Sequence, residues 1–131
     1  MIDIESDIVE AVASALEEEY PSADVSSVLN LTPEVPLSVF IEAIDNQVYE
    51  RGIDSSGIEN FVTTSFEVNV IAKAPAPKST AKAVMAIVDS VLRENGLTRI
   101  MQRPVSLQDS VQYRLVSRYR CVTDGTTNYT R

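Results

Sequence analysis

The sequence contains no histidine and one cysteine, Cys121. A chain without histidine has no Ser-His-Asp triad and no histidine metal site, and one cysteine forms neither an internal disulfide nor a thiolate cluster. The four glycines are scattered, so no phosphate-cradling loop is present. Carboxylate pairs such as Asp45 with Glu50 leave a small enzyme with carboxylate chemistry as the remaining catalytic hypothesis. We therefore predict a protein that is not an enzyme and uses neither metal nor cofactor.

Long apolar segments are also missing. No apolar run approaches the roughly 20 residues that span a bilayer. Residues 1–5 are acidic and lack the basic and apolar regions of a signal peptide. We expect a protein of a reducing compartment, without a membrane, in which Cys121 is a buried and inert thiol. A length of 131 residues predicts one domain, 1–131.

Basic residues are nearly absent from the first part of the chain. Residues 1–72 hold fifteen acids and one base, a net charge of −14, whereas residues 73–131 hold ten bases and four acids, a net charge of +6. This split is either a feature of the solvated surface or a sign that the acidic surface of one copy meets the basic surface of the next. The sequence pI near 4.4 argues against tight nucleic-acid binding.

An amphipathic helix is predicted over residues 3–20, with Asp3 as its N-cap. Its apolar residues recur at a spacing of four: Ile4, Ile8, Val12, Leu16 and Tyr20. Pro21 ends this helix, and further prolines make residues 21–36 a connecting segment with a short turn near Val25.

Two strands are predicted next, over residues 37–49 and 61–73. The first is apolar on both sides at its middle, which is typical of a strand that is covered on both faces or is central in its sheet. The second alternates strictly, with Phe66 on its apolar side and Ser65 on its polar side. One side should therefore meet a core, and the other should be solvated or form an interface. The connecting loop, residues 50–60, is long for a hairpin.

The second helix is predicted from a cap at Ser79 or Thr80 to Asn95. Its apolar positions keep helical spacing, and Asn95-Gly96 supplies a left-handed stop. Such a helix must pack on a sheet, because the cost of ordering its backbone is comparable to the gain from burying its apolar side.

The C-terminal segment is rich in arginine. A strand is predicted over residues 98–105, with Arg99 and Arg103 on the same side of it. Pro104 indicates that this strand is an edge strand or ends there. The strand over residues 111–122 alternates between an apolar side and a side with three arginines: Arg114, Arg118 and Arg120. These arginines are either solvated surface or contacts to carboxylates or phosphates of a partner. An Asp-Gly turn then precedes a short final strand within residues 127–131.

The order α-β-β-α-β-β predicts an α+β fold. Short connections within each pair of strands indicate an antiparallel or mixed sheet of about four strands, with the helices packed on one face. The sheet and second helix occupy residues 37–131.

Five segments between residues 37 and 131 combine into one pattern. They are Phe66-Glu67-Val68-Asn69-Val70, helix 81–96, Leu97-Thr98-Arg99, Tyr113-Arg114-Leu115-Val116-Ser117-Arg118-Tyr119 and the closing Tyr129-Thr130-Arg131. In this combination they resemble the tail completion, or tail terminator, proteins of long-tailed bacteriophages, which are small neck and tail-component proteins.

The resemblance implies a structural virion protein of the tail or neck, assembled in the host cytoplasm. It implies a homohexameric ring that caps the tail tube, joins tail to head and contacts both the tube protein and the head–tail connector. DNA would pass through such a ring without being gripped. Arg99, Arg103, Arg114, Arg118 and Arg120 are then the candidate interaction surface. A stand-alone regulatory or assembly-chaperone binding module is the alternative.

Ile53 and Ile58 complete the candidate surface. They are the only aliphatic residues of the 50–60 loop. We expect them to anchor the loop on the tail tube or on an adjacent subunit, unless the loop folds back onto its own core.

Overall fold

In a computed structural model of the chain, the described residues are 3–28, 35–48, 61–73, 76–105, 112–125 and 128–129. They form two helices and six strands in this order: α1 (Glu5–Leu16), β1 (Asp24–Ser26), β2 (Leu37–Val48), β3 (Val62–Lys73), α2 (Pro77–Glu94), β4 (Thr98–Val105), β5 (Gln112–Thr123) and β6 (Asn128–Tyr129). The predicted α+β class is confirmed.

One mixed sheet contains all six strands. Its order is β1-β2-β3-β5-β4, and β6 pairs with the end of β5. β1 runs parallel to β2, and every other pair is antiparallel. Four of the predicted strands are the four long ones, and the predicted short final strand is β6. β4 lies at one edge of the sheet, as Pro104 predicted, and β3 and β5 pair along their whole length in the interior.

Strand β1 was not predicted. Residues 21–36 were expected to be a connection with a turn near Val25, but Val25 lies in β1 and pairs in register with Val39. Three residues are too few to show a periodicity, and their strand conformation comes from the pairing with β2.

Helix α1 is shorter than the predicted 3–20. It ends at Leu16, before three consecutive glutamates whose charge opposes the negative end of the helix dipole. The N-cap is Ile4 rather than Asp3, although the Asp3 carboxylate accepts the backbone N–H of Glu5 at 2.9 Å.

Both helices pack on the same face of the sheet, and the core lies between them and the strands. The core residues of α1 repeat at a spacing of four, and those of α2 are Ala81, Val84, Met85, Val88 and Leu92. They pack against the apolar side chains on the facing side of the strands, which include Phe66 and Leu115. The predicted alternation in β3 and β5 therefore identifies the core side correctly.

Helix α2 begins at Pro77 and not at a cap on Ser79 or Thr80. Proline suits the first helical turn because its φ is already helical and it needs no N–H partner there. The C-terminal stop is as predicted, since Gly96 has φ 84°. The N–H groups of Gly96 and Leu97 bond back to the carbonyls of Arg93 and Leu92, which satisfies the last turn.

A β-bulge in β2 joins the sheet to α1. The pairing of β2 with β3 shifts register between Ala43 and Asp45. The Ala43 N–H donates to the Glu5 carboxylate at 2.6 Å. Glu5 thus supplies an acceptor where the ladder is interrupted, and fixes the first turn of the helix on the strand.

We expect Glu5→Ala to lower the free energy of unfolding by about 1–3 kcal/mol, because the Ala43 N–H loses its acceptor. Glu5→Gln keeps an acceptor oxygen and should lose less than half as much. Asp7→Ala is the control, because it removes an exposed acid from the same helical turn. Urea denaturation measures all three, and equal midpoints for Glu5→Ala and Asp7→Ala would contradict the role given to Glu5.

Candidate interaction surface

The sheet face that points away from both helices carries most of the candidate arginines. We call it the second face. Its residues in the three inner strands include Ser38, Phe40, Glu42, Ser65, Glu67, Asn69, Ile71, Arg114, Val116, Arg118 and Arg120. Phe40, Asn69, Ile71 and Val116 are at most 5% exposed, so the centre of this face is buried. The expectation that the polar side of β3 is solvated or an interface is therefore wrong for Asn69.

The three arginines of β5 lie in a row on the second face, as predicted. Their partners in register on β3 are Ile71, Glu67 and Ser65. Arg114 is half-buried, whereas Arg118 and Arg120 are exposed. The row therefore presents its charge most fully at the end of β5 that pairs with the beginning of β4.

Two of these arginines have partners within the chain. Arg118 forms an ion pair with Glu67 at 3.1 Å, and Arg114 Nε donates to Asn69 Oδ1 at 2.8 Å. Asn69 in turn donates to Glu67 Oε1 at 3.2 Å. Glu67 neutralises Arg118 at the centre of the row, whereas Arg114 bonds a neutral amide and keeps its charge. No described residue bonds to the Arg120 guanidinium.

Arg99 and Arg103 do not share a face of the sheet, so the prediction from their parity is wrong. The pairing of β4 with β5 shifts register between Arg99 and Met101, and Ile100 is the extra residue. Arg103 stands opposite Val116 on the second face, whereas Arg99 stands opposite Tyr119 on the helix side. Because a bulge inserts one extra residue, the side chains beyond it lie on the opposite faces from those that strict alternation predicts. Counting odd and even positions in the sequence does not reveal such a bulge.

The two remaining candidates, Ile53 and Ile58, lie outside the described residues, as does the loop 50–60 that contains them.

The order of the strands separates acidic and basic residues across the sheet, as they are separated along the sequence. Strands β1, β2 and β3 together carry four acids and one base, Lys73. Strands β4 and β5 carry five arginines and no acid. The acids are Asp24, Glu42, Asp45 and Glu67. One edge of the sheet is therefore acidic and the opposite edge basic, which the sequence alone did not show because the pairing of β3 with β5 was unknown.

Helix α1 strengthens the acidic edge. It contacts β1 and β2, the two strands at that edge. A shallow groove where the end of α1 meets β1 is lined by Glu10, Glu17 and Asp24, together with Tyr20. All three acids are exposed, so this edge presents a negative surface on both sides of β1.

The buried titratable groups on the helix side of β5 are structural. Tyr119 Oη donates to Asp89 Oδ1 at 2.7 Å, and Asp89 Oδ2 accepts from Arg93. Burial, with the bond to Asp89 and its negative charge, raises the pKa of Tyr119 well above its usual value. Cys121 is buried as predicted, and burial raises its pKa to about 11, so the thiol stays protonated at neutral pH.

The described part of the chain offers neither a metal site nor a membrane span. Within it, no three acidic or cysteine side chains come together in a way that could hold a metal ion. No described helix is both long and apolar enough to cross a membrane. The sequence matches no protein-family model and no curated protein.

Proposed function

We propose that this protein is a structural component of a bacteriophage tail, which forms a ring that caps the tail tube and joins tail to head. The opposite charges at the two edges of the sheet carry the proposal. A ring of identical subunits needs two unlike surfaces on each subunit, because head-to-tail contacts are heterologous. The acidic edge at α1 and β1 and the basic edge at β4 and β5 are such a pair.

The overall charge favours the same role. A net charge of −8 would repel the phosphates of DNA passing through a ring, while five of the eleven basic residues lie together in β4 and β5. The mechanism is binding alone. The ring covers the last tube subunits and so stops their polymerisation, and it presents its other side to the connector of the head.

Removing the gene from a phage that carries it tests this function. Filled heads without tails, and tubes longer than normal, should appear in the lysate under the electron microscope. Tails of normal length that are joined to heads would contradict the proposal. A position of the gene beside capsid and tail genes would support it at little cost.

We expect Arg120→Glu to impair assembly without unfolding the protein. Arg120 is exposed and has no ionic partner among the described residues, so its reversal leaves the network of Glu67 and Arg118 intact. Ring formation should weaken by roughly tenfold, since like charges would then face each other in the contact. Sedimentation and circular dichroism measure the two effects.

The control for Arg120→Glu is Lys82→Glu, which makes the same charge change on an exposed position of α2. Rings of normal abundance from Arg120→Glu would remove Arg120 from the contact. An assembly-chaperone or regulatory module, the alternative function, would sediment as a small species at every concentration and would leave tube length unchanged.

A further inference from the structure

We propose that β4 of one copy pairs antiparallel with β1 of the next copy, so that subunits join head to tail by continuing one sheet. This inference rests on the proposed function, because it identifies the contact from which the ring would be built. The occupant of each edge is thus a second copy of this chain.

Both strands are at the edges of the sheet. Among the described residues, β1 pairs only with β2, and β4 pairs only with β5. The outer backbone groups of an edge strand are available to another strand, and proteins usually shorten or interrupt such edges. In this protein the uninterrupted part of β4 and the whole of β1 are each three residues long. In β4, the bulge at Ile100 and the missing N–H of Pro104 enclose residues 101–103, and β1 also has three residues.

Strand direction fits this pairing. β1 is parallel to β2, and the antiparallel steps from β2 through β3 and β5 leave β4 running opposite to β1. Rotating a copy about an axis along the strands keeps these directions. β4 of one copy then meets β1 of the next in antiparallel orientation, which is the more stable arrangement per residue.

Register and charge agree at this contact. Asp24 and Ser26 of β1 lie on the second face, because they pair with Ser38 and Phe40. Met101 and Arg103 also lie on the second face. An antiparallel pairing of residues 24–26 with residues 101–103 therefore keeps both faces of the sheet continuous. It places Arg103 directly opposite Asp24, and cross-strand pairs of opposite charge are stabilising.

Charge also disfavours the symmetric alternatives. Pairing β4 with a second β4 would bring the arginines of both copies, Arg99 and Arg103, into one contact, and pairing β1 with a second β1 would bring Asp24 and the acidic groove together. Like charges opposite each other destabilise a strand pair. Heterologous contacts either close into a ring or continue as a filament, so the same pairing accounts for assembly without a twofold dimer.

A charge swap tests the pairing. Asp24 and Arg103 are both exposed, so Asp24→Arg and Arg103→Asp should each leave the melting temperature unchanged. Each single variant should weaken self-association by roughly tenfold, and the double variant should return to within about threefold of the parent. Sedimentation over a concentration series provides the readout. Glu94→Arg and Lys82→Asp, exposed changes on α2, are the matched controls and should have no effect.

Cysteine cross-linking checks the same geometry. The double variant Asp24→Cys with Arg103→Cys should give a ladder of oxidised oligomers, while each single variant gives none, because the native Cys121 is buried. If the parent forms rings but the charge swap fails to restore them, the edge pairing is overturned and the proposed function stands. If the parent remains a monomer at every concentration and also on tail tubes, both are overturned.

Discussion

Leu115→Asp should leave the protein without a cooperative unfolding transition. Leu115 is 3% exposed on the helix side of β5 and belongs to the core between the sheet and the helices. The substitution forfeits about 1.5–3 kcal/mol of apolar burial and adds several kcal/mol for a buried charge without a partner. Together these costs approach the 5–15 kcal/mol that stabilises an ordinary domain. Near-ultraviolet circular dichroism and thermal melting measure the result.

Two variants separate the charge from the loss of volume. Leu115→Ala removes the side chain without adding charge, and should cost about 2–5 kcal/mol while keeping a cooperative transition. Val28→Asp places the same carboxylate at a position that is 74% exposed, and should leave stability within about 0.5 kcal/mol of the parent. A parental melting temperature for Leu115→Asp would mean that β5 does not lie over the core.

Gly96→Ala should lower the melting temperature by roughly 6–20 °C, which corresponds to about 2–4 kcal/mol. Two independent costs combine at this residue. Its φ is 84°, a left-handed conformation that L-residues rarely adopt. A Cβ atom there would also lie 2.7 Å from the carbonyl oxygen of Asn128 in β6.

The surroundings of Gly96 cannot move away easily. The Asn128 side chain donates to the carbonyl of Asn95 at 2.8 Å and accepts from the Thr123 hydroxyl at 2.7 Å. Displacing Asn128 would therefore break contacts that join the end of α2 to the last two strands. Gly125→Ala provides the comparison, because Gly125 also has a positive φ of 93° but is exposed. Equal losses from the two variants would show that the contact with Asn128 contributes nothing.

The long elements were predictable because their periodicity is a local property of the sequence. The alternation in β3 and β5 identified the core side, and Gly96 identified the end of α2, each from residues within one element. The start of α2 was misplaced because Ser79 and Thr80 are good caps, whereas the chain uses the fixed φ of Pro77 two residues earlier.

The interaction surface was less predictable because it depends on pairing between distant strands. Glu67 is 51 residues from Arg118, and only the register of β3 on β5 brings them together. The bulge at Ile100 separates Arg99 from Arg103 although their spacing in the sequence is that of one strand face. Strand β1 depends on β2 for its conformation, so the acidic edge that it forms had no sequence pattern of its own.

The charge split across the sheet makes the molecule an electric dipole, and salt sets the distance over which a second molecule senses it. Five strands at about 4.8 Å spacing hold the two edges roughly 19 Å apart. At about 0.01 M salt the Debye length is about 30 Å. The electrostatic field of both edges then reaches an approaching copy at once and orients it relative to the first copy. At about 0.15 M the Debye length is about 8 Å, and each edge then acts alone. Ionic strength should therefore change the rate at which copies encounter each other in the correct orientation far more than the lifetime of a strand pair already formed.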